Sequence, residues 1–246
     1  MLKKLVFSIS ALMVMALTVN AQEFVTDGLI LMYTFDSGDV SGDTVADVSG
    51  TGNDGTAMGT VNYTSGMIGD ALMLDGTDGY IEIPAMGSFE QVSVECWVYE
   101  EAFAGIQGIV STWQWEAGKV HYKFESNQIQ VDKNGAGKIT ADAEAQTWYH
   151  VVYTTDTIGD ALKLYVDGEL AADGPGGAGV NELWDERRVG SEHDGRFLNG
   201  MVDEVRVYDR VLSADEVVNN FAVTTNVMTA VKPSGKAATT WGSIKL

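Results

Sequence analysis

Between Gly28 and about Ala222, apolar residues recur at every second position in short runs, broken by clusters of Gly, Asp, Asn and Ser. Alternation with a period of two puts one side of each run on a buried face, which is the mark of half-buried β-strands. The runs predict strands at Leu29–Asp36, Ala71–Leu74, Tyr80–Ile83, Val92–Tyr99, Gly108–Gln114 and Val120–Glu125. Further runs follow at Gln128–Asp132, Trp148–Thr155, Leu162–Val166, Glu169–Ala172, Arg187–Gly190 and Phe197–Val207. Many short strands with frequent turn signals predict an all-β sandwich or barrel. Asp167-Gly168, between two alternating runs, is a two-residue hairpin signal, because both turn positions need positive φ. Asn134-Gly135 is a weaker one. No segment repeats at a fixed period, which argues against a propeller or solenoid.

The last strong pattern is Gly200 to Val217. Strict alternation there puts Asp203 on the face of Val205 and Val207, with Glu204, Arg206 and Tyr208 opposite. Ser213 stands three residues before Glu216, the spacing of a capping box that opens a short helix. A carboxylate on an apolar face needs a partner, since burying it alone costs several kcal/mol or raises its pKa. A bound cation is one such partner.

The ends read differently from the middle. Lys3 and Lys4 precede an apolar stretch from Leu5 to Val19, and Val19-Asn20-Ala21 sets small residues before a cut ahead of Gln22. That is the layout of a secretory leader, and the apolar run is shorter than a membrane span. The expected organisation is therefore a leader at 1–21, a lead-in at 22–27, one domain at 28–222 and a tail at 223–246. The tail contains no Asp or Glu and carries Lys232, Lys236 and Lys245. It reads as a flexible terminus with some β propensity, or its end forms one strand or a sorting or docking tag. Removing the leader takes two of the 15 basic residues and none of the 35 acidic ones, leaving a formal charge of about −22. Such a surface repels nucleic acid and anionic membranes. The expected location is secreted: extracellular, cell-surface or periplasmic. Cys96 is alone, so no intramolecular disulfide forms, and its place among Val92, Val94 and Val98 marks it as a small buried hydrophobe.

Four blocks, in order, carry a family resemblance. Leu31-Met32-Tyr33-Thr34-Phe35-Asp36 leads to Asp47-Val48-Ser49-Gly50-Thr51-Gly52-Asn53-Asp54-Gly55. Gly69-Asp70-Ala71-Leu72-Met73-Leu74-Asp75-Gly76 runs on through Tyr80-Ile81-Glu82-Ile83-Pro84. Val92 to Tyr99 forms the third block. Trp148-Tyr149-His150-Val151-Val152, Leu164-Tyr165-Val166-Asp167-Gly168 and the Asp203 strand form the fourth. Together they resemble the laminin-G-like members of the concanavalin A-like lectin and glucanase superfamily, over about Gly28 to Phe221. The resemblance implies a jelly roll of two curved antiparallel sheets with first and last strands that lie near each other, to which the capping box adds a short C-terminal helix after the last strand.

Three kinds of chemistry follow as expectations. Ca²⁺ takes six to eight oxygen ligands, and Asp36, Asp47, Asn53, Asp54 and Asp203 are the candidate donors for a structural calcium, with backbone carbonyls completing the shell. The alternative is that these residues only make turns and that Asp203 pairs with a backbone N–H or an Arg. Glycosidases need two facing carboxylates, and the Glu-x-Asp-x-(x)-Glu strand of the related glucanases has no match here. His121, His150 and His193 are too dispersed for a zinc motif. No enzyme is therefore expected, with an atypical glycoside hydrolase as the remote alternative. For ligand binding, Trp113, Trp115 and Tyr122 form a candidate carbohydrate platform if they face solvent. If they do not, they fill the inter-sheet core. The loop Ser191–Arg196 is a second polar candidate. The partner is then a glycan or a cell-surface protein, and the competing reading is a protein-interaction or adhesion module.

Overall fold

The alternating runs pair into antiparallel layers, in a computed structural model that describes residues 23–192 and 195–223. The leader, the tail from residue 224 onward, and His193 and Asp194 lie outside the described residues. One layer is an eight-stranded sheet. Its order across the sheet is Glu169–Gly174, Ala161–Val166, Trp148–Asp156, Gln91–Glu100, Asn199–Tyr208, Asp70–Asp75 and Asn62–Ser65, and Leu29–Tyr33 also pairs with Asn199–Tyr208. The facing layer joins two sheets. The first holds Gln107–Gly108, Val120–Glu125, Gln128–Lys133 and Gly137–Asp142; the second runs from Val110–Thr112 through Arg187–Val189 and Tyr80–Ile83 to Gly55–Met58, Thr44–Val45 and Val40–Ser41. A bond from Ile109 N to Tyr122 O (2.8 Å) stitches them. The fold is an all-β antiparallel jelly-roll sandwich with one short helix, Ala214–Phe221, after the last strand.

Inward side chains of the two layers interlock. Leu31, Val94, Val98 and Val207 meet Ile81, Phe124, Ile129 and Val131 in one buried cluster. Tyr122 meets Tyr153 of the opposite layer edge-on at 5.1 Å. Each such side chain contributes about 1.5–3 kcal/mol of burial. Cys96 is fully buried here, and burial pushes its thiol up to about 12, so it is inert as a nucleophile. The Asp167-Gly168 turn forms as its sequence predicts, with φ of 51° and 83°. The hairpin at Ser126-Asn127 uses the same turn conformation without a glycine, at φ of 57° and 61°, and therefore left no Gly signal.

The strict alternation read along Gly200–Val207 fails at one point. Asp203 sits opposite Trp97 while Arg206 sits opposite Glu95, so the last long strand carries one extra residue there. Glu204 takes φ of 54° in this β-bulge. The extra residue returns Val202, Val205 and Val207 to one core and moves Asp203 to the face of Trp97. The bulge also marks where the neighbouring strand changes. Leu72 to Asp75 pair with Asn199 to Val202, and Leu29 to Tyr33 pair with Val205 to Tyr208.

On the outer face of the eight-stranded sheet, the helix covers a buried charge network. Glu95 accepts from Arg206 (2.7 Å), His150 (3.0 Å) and Asn220 (2.6 Å). Arg206 also pairs with Glu204 and stacks 4.5 Å over Phe24. Asn220, on the helix, accepts from Val25 N (2.8 Å). Ser213 and Glu216 close the predicted capping box. Burial opposes ionisation of Glu95 most strongly, but the Arg206 guanidinium and the His150 and Asn220 hydrogen bonds outweigh it and hold the carboxyl at about 2.

A depressed carboxyl contributes stability above its unfolded pKa, and that stability is lost as pH falls through its folded value. Glu95 should therefore contribute about 3 kcal/mol at neutral pH, lost between roughly pH 4.5 and pH 2. Arg206→Met, which strands Glu95, should cost about 3–5 kcal/mol in denaturant unfolding. A loss below 1 kcal/mol would show that the network does not secure this face.

Candidate functional site

The predicted strand Gly108–Gln114 ends early. It breaks into Gln107–Gly108 and Val110–Thr112, so Trp113 and Trp115 fall in the loop that follows and do not share a strand face. Both are exposed, Trp113 at 40% and Trp115 at 57%. Tyr122 is elsewhere: it points into the inter-sheet core, with its hydroxyl 3.8 Å from the Cys96 sulfur. The three-ring platform therefore does not assemble, because the strand of Tyr122 turns its odd-numbered residues outward.

Those outward residues are His121 and Lys123, and they meet Trp115. The Trp115 ring stacks on His121 at 4.0 Å between centroids, and the Lys123 ammonium lies 6.0 Å from the same ring. His121 bonds through Nε2 to Asn134 at 3.1 Å, and its Nδ1 lies 3.2 Å from Glu192 without a hydrogen bond to it. Glu192 is fully buried and also engages Arg196 (2.8 Å) and Lys123 (3.8 Å). Lys123 reaches Glu125 as well, at 3.1 Å. The loop can lie this close because Gly108 has no side chain, and a Cβ there would overlap the backbone of Ser191 and Glu192. Among the described residues, Glu192 Oε2, Ser191 Oγ and Ser111 Oγ have no hydrogen-bond partner. The result is an aromatic shelf, an exposed indole seated on a buried polar cluster, with the half-exposed Arg196 at its edge. Such a surface can hold a polar ligand with one apolar side.

The candidate oxygen ligands separate into two groups. Asp47 organises its own loop: its carboxylate accepts from Met32 N (2.9 Å), Ser49 N (3.0 Å), Asn53 N (2.9 Å) and the Thr51 hydroxyl (2.8 Å). Asp54 accepts from Asp47 N (2.8 Å), and Asn53 donates to Ile30 O (2.8 Å). These three residues fasten a loop to the first strand. Asp36 and Asp203 converge instead on one turn, Gly66 to Asp70. Asp36 accepts from Asp70 N (2.8 Å) and Asp203 from Ile68 N (2.9 Å). A Cβ on Gly69 would overlap Asp36, and one on Gly66 would overlap Asp203.

Asp203 Oδ1 is buried without a partner. Burial and, after it, the Glu204 charge push its carboxyl up to about 8, against the backbone bonds from the turn. A cation at that oxygen would supply the missing partner, so the pair Asp36–Asp203 fits a cation better than the Asp47 loop does. No cluster of three or more His, Cys, Asp or Glu suited to a metal occurs among the described residues, so backbone carbonyls would have to supply much of the shell.

The profile of a family described as the concanavalin A-like lectin/glucanases superfamily matches residues 75–218. The chain belongs to this family. No curated protein matches it. Among solved structures, domain 4 of AbnA, an extracellular GH43 arabinanase from Geobacillus stearothermophilus crystallised with arabinotriose, is similar at 22% identity and a TM-score of 0.63. That match covers 78% of this chain and 97% of the other. The ligand-binding domain of botulinum neurotoxin serotype D, solved with N-acetylneuraminic acid, is similar at 15% identity and a TM-score of 0.64, covering 80% of this chain and 51% of the toxin domain. A sialidase of Trypanosoma rangeli is similar at 16% identity and a TM-score of 0.61, with 79% of this chain matched to 33% of the enzyme. At these identities the likeness is one of fold.

The sequence pattern hid the shelf for two reasons. Its aromatic ring comes from an irregular loop, and its buried acid from the loop Ser191–Arg196, 71 positions from His121 along the chain. The sequence offered Trp115 and the loop Ser191–Arg196 as separate candidates, and only the fold brings them together beside His121 and Lys123. Trp115→Ala should leave the melting temperature within about 2 °C, as surface changes do, while Tyr122→Ala should cost about 3–5 kcal/mol through a core cavity. Thermal melts of the two variants check this, and equal losses would contradict the placement of both rings.

Proposed function

We propose that this chain is a secreted, non-catalytic module that binds glycans or a cell-surface polymer through the Trp115 shelf, with a structural calcium at the Asp36–Asp203 turn. The observation that carries the reading is the exposed Trp115 ring fixed on His121, beside Lys123 and Arg196. A sugar ring can stack its C–H side on the indole while its hydroxyls meet the half-exposed Arg196 and Glu125, and a ring already held in place loses little freedom on binding. The arabinotriose and N-acetylneuraminic acid found with similar domains support a glycan as the ligand class. The leader-like start, with Lys3, Lys4 and small residues before Gln22, supports secretion.

Glu125 and Glu192 both engage the ammonium of Lys123. At the shelf these two carboxylates anchor a loop and are not set across a scissile bond as an acid and base pair. A glycan array followed by calorimetry should give saturable binding at micromolar to millimolar ligand. Trp115→Ala should weaken it at least tenfold, about 1.4 kcal/mol. Undiminished binding by that variant would move the site elsewhere, and hydrolysis of the ligand would overturn the non-catalytic reading.

The calcium supports the fold by giving Asp203 its partner, and Asp36 would approach the same ion from across the turn. Millimolar Ca²⁺ should raise the melting temperature by several degrees over the chelated protein, following the mass-action stabilisation of a native-state ligand. Asp203→Asn should abolish that difference. An identical transition with calcium and with chelator would remove the ion from the account.

A further inference from the structure

The helix Ala214–Phe221 covers only part of the outer face of the eight-stranded sheet. Its last residue, Phe221, packs on Trp97 at 5.7 Å and on His150 at 5.6 Å, and beyond that row the face is open. The next outward row is one register line across the sheet. Trp148 stands opposite Tyr99, Tyr99 opposite Met201, Met201 opposite Met73, and Met73 opposite Asn62. The Tyr99 and Trp148 rings are in contact at 5.7 Å, and Met73 is 40% exposed. With strands about 4.8 Å apart, the four apolar residues extend roughly 14 Å across four strands, and Asn62 on the fifth closes the row. A cleft of about 240 Å³ opens over Met73, Tyr99 and Met201.

The rim of the cleft is polar and lacks a cation. Asn62, Asp75, Glu101 and Asn199 line it, and Gln146 reaches Glu101 at 2.8 Å. Tyr99 turns its hydroxyl to Glu101 at 3.2 Å, which leaves the ring face over the floor. An apolar, ring-bearing floor with carboxamides and carboxylates along its edge suits a chain of sugar rings, whose hydroxyls satisfy the rim and whose C–H sides lie on the rings. The rung spacing is comparable to the advance of one sugar residue along an extended oligosaccharide. Two rim carboxylates with no lysine or arginine lining the cleft, on a chain of formal charge −20, disfavour uronate or sialate chains and a second copy of the same acidic protein.

We propose that the Trp148–Tyr99–Met201–Met73 floor is a second ligand site, for an extended neutral oligosaccharide, on the sheet opposite the Trp115 shelf. The two sites share no residue, so each can fail without the other. The test is calorimetric titration of the full chain with cellohexaose, xylohexaose and arabinohexaose, alongside oligogalacturonate of similar length. At least one neutral hexasaccharide should still bind the Trp115→Ala chain, in which the shelf is removed, and adding Tyr99→Ala or Met201→Lys in that background should weaken the remaining binding tenfold or more. Circular dichroism melts establish that both variants fold, and Met73→Lys, at an exposed position, serves as the third blocking variant. Loss of neutral binding in Trp115→Ala with retention in the floor variants would overturn this site and leave the shelf standing. Absence of binding by all three neutral hexasaccharides, or tighter binding of oligogalacturonate at the floor, would also overturn it. So would concentration-dependent dimerisation in light scattering that Met73→Lys abolishes, since a second copy would then occupy the face.

Discussion

The burial of Glu95 between Arg206, His150 and Asn220 constrains the rest of the molecule. A carboxylate and a guanidinium at the centre of a sheet are tolerable only if both are paired and shielded, and the shield here is assembled from both ends of the described chain. Phe24 stacks on Arg206, Asn220 reaches Glu95, and Val25 bonds to Asn220. The helix and the N-terminal segment are therefore held over one half of the outer face by charge, in addition to the apolar cluster of Met32, Val152, Leu212 and Val217 beneath them. Because the cover is fixed there, the other half of the face, from Tyr99 onward, stays open.

The bulge at Asp203 and Glu204 has a comparable organising role. By adding one residue to the strand it separates two pairing partners on the same edge, and the Gly66–Asp70 turn enters the gap between them. Asp203, the residue just before the register change, presents its carboxylate to that turn. A local backbone irregularity thus sets the position of a charged group, as bulges commonly do beside functional positions.

Much of the architecture was legible in the sequence because period-two alternation and turn chemistry report directly on buried faces. The strands around Cys96, Tyr153 and Leu164, the Asp167-Gly168 turn and the Ser213–Glu216 cap all lie where their patterns place them. Short strands such as Gly55–Met58 and Gly137–Asp142 were missed, since each offers too few apolar positions to show a period. The face of Asp203 was misread because an inserted residue leaves no trace in composition. Tyr122 was assigned with the tryptophans because strand spacing was extended through Trp113 and Trp115, whereas the strand stops at Thr112. The role of Glu192 depends on contacts made across the fold by an irregular loop, which periodicity does not register. Tyr99 and Trp148, by contrast, stood at outward positions of long strands, and only their pairing in register shows that they form one row.

The clamp that joins Glu23 and Val25 to Asn219 and Asn220 also brings the entry and exit points of the described chain to the same spot. A pull applied through the flanking segments would load that small clamp first and would leave the hydrogen-bond ladders of the sandwich slack. Embedded in a polymer network under flow, such a unit would yield by letting go of its helix while keeping its two layers whole.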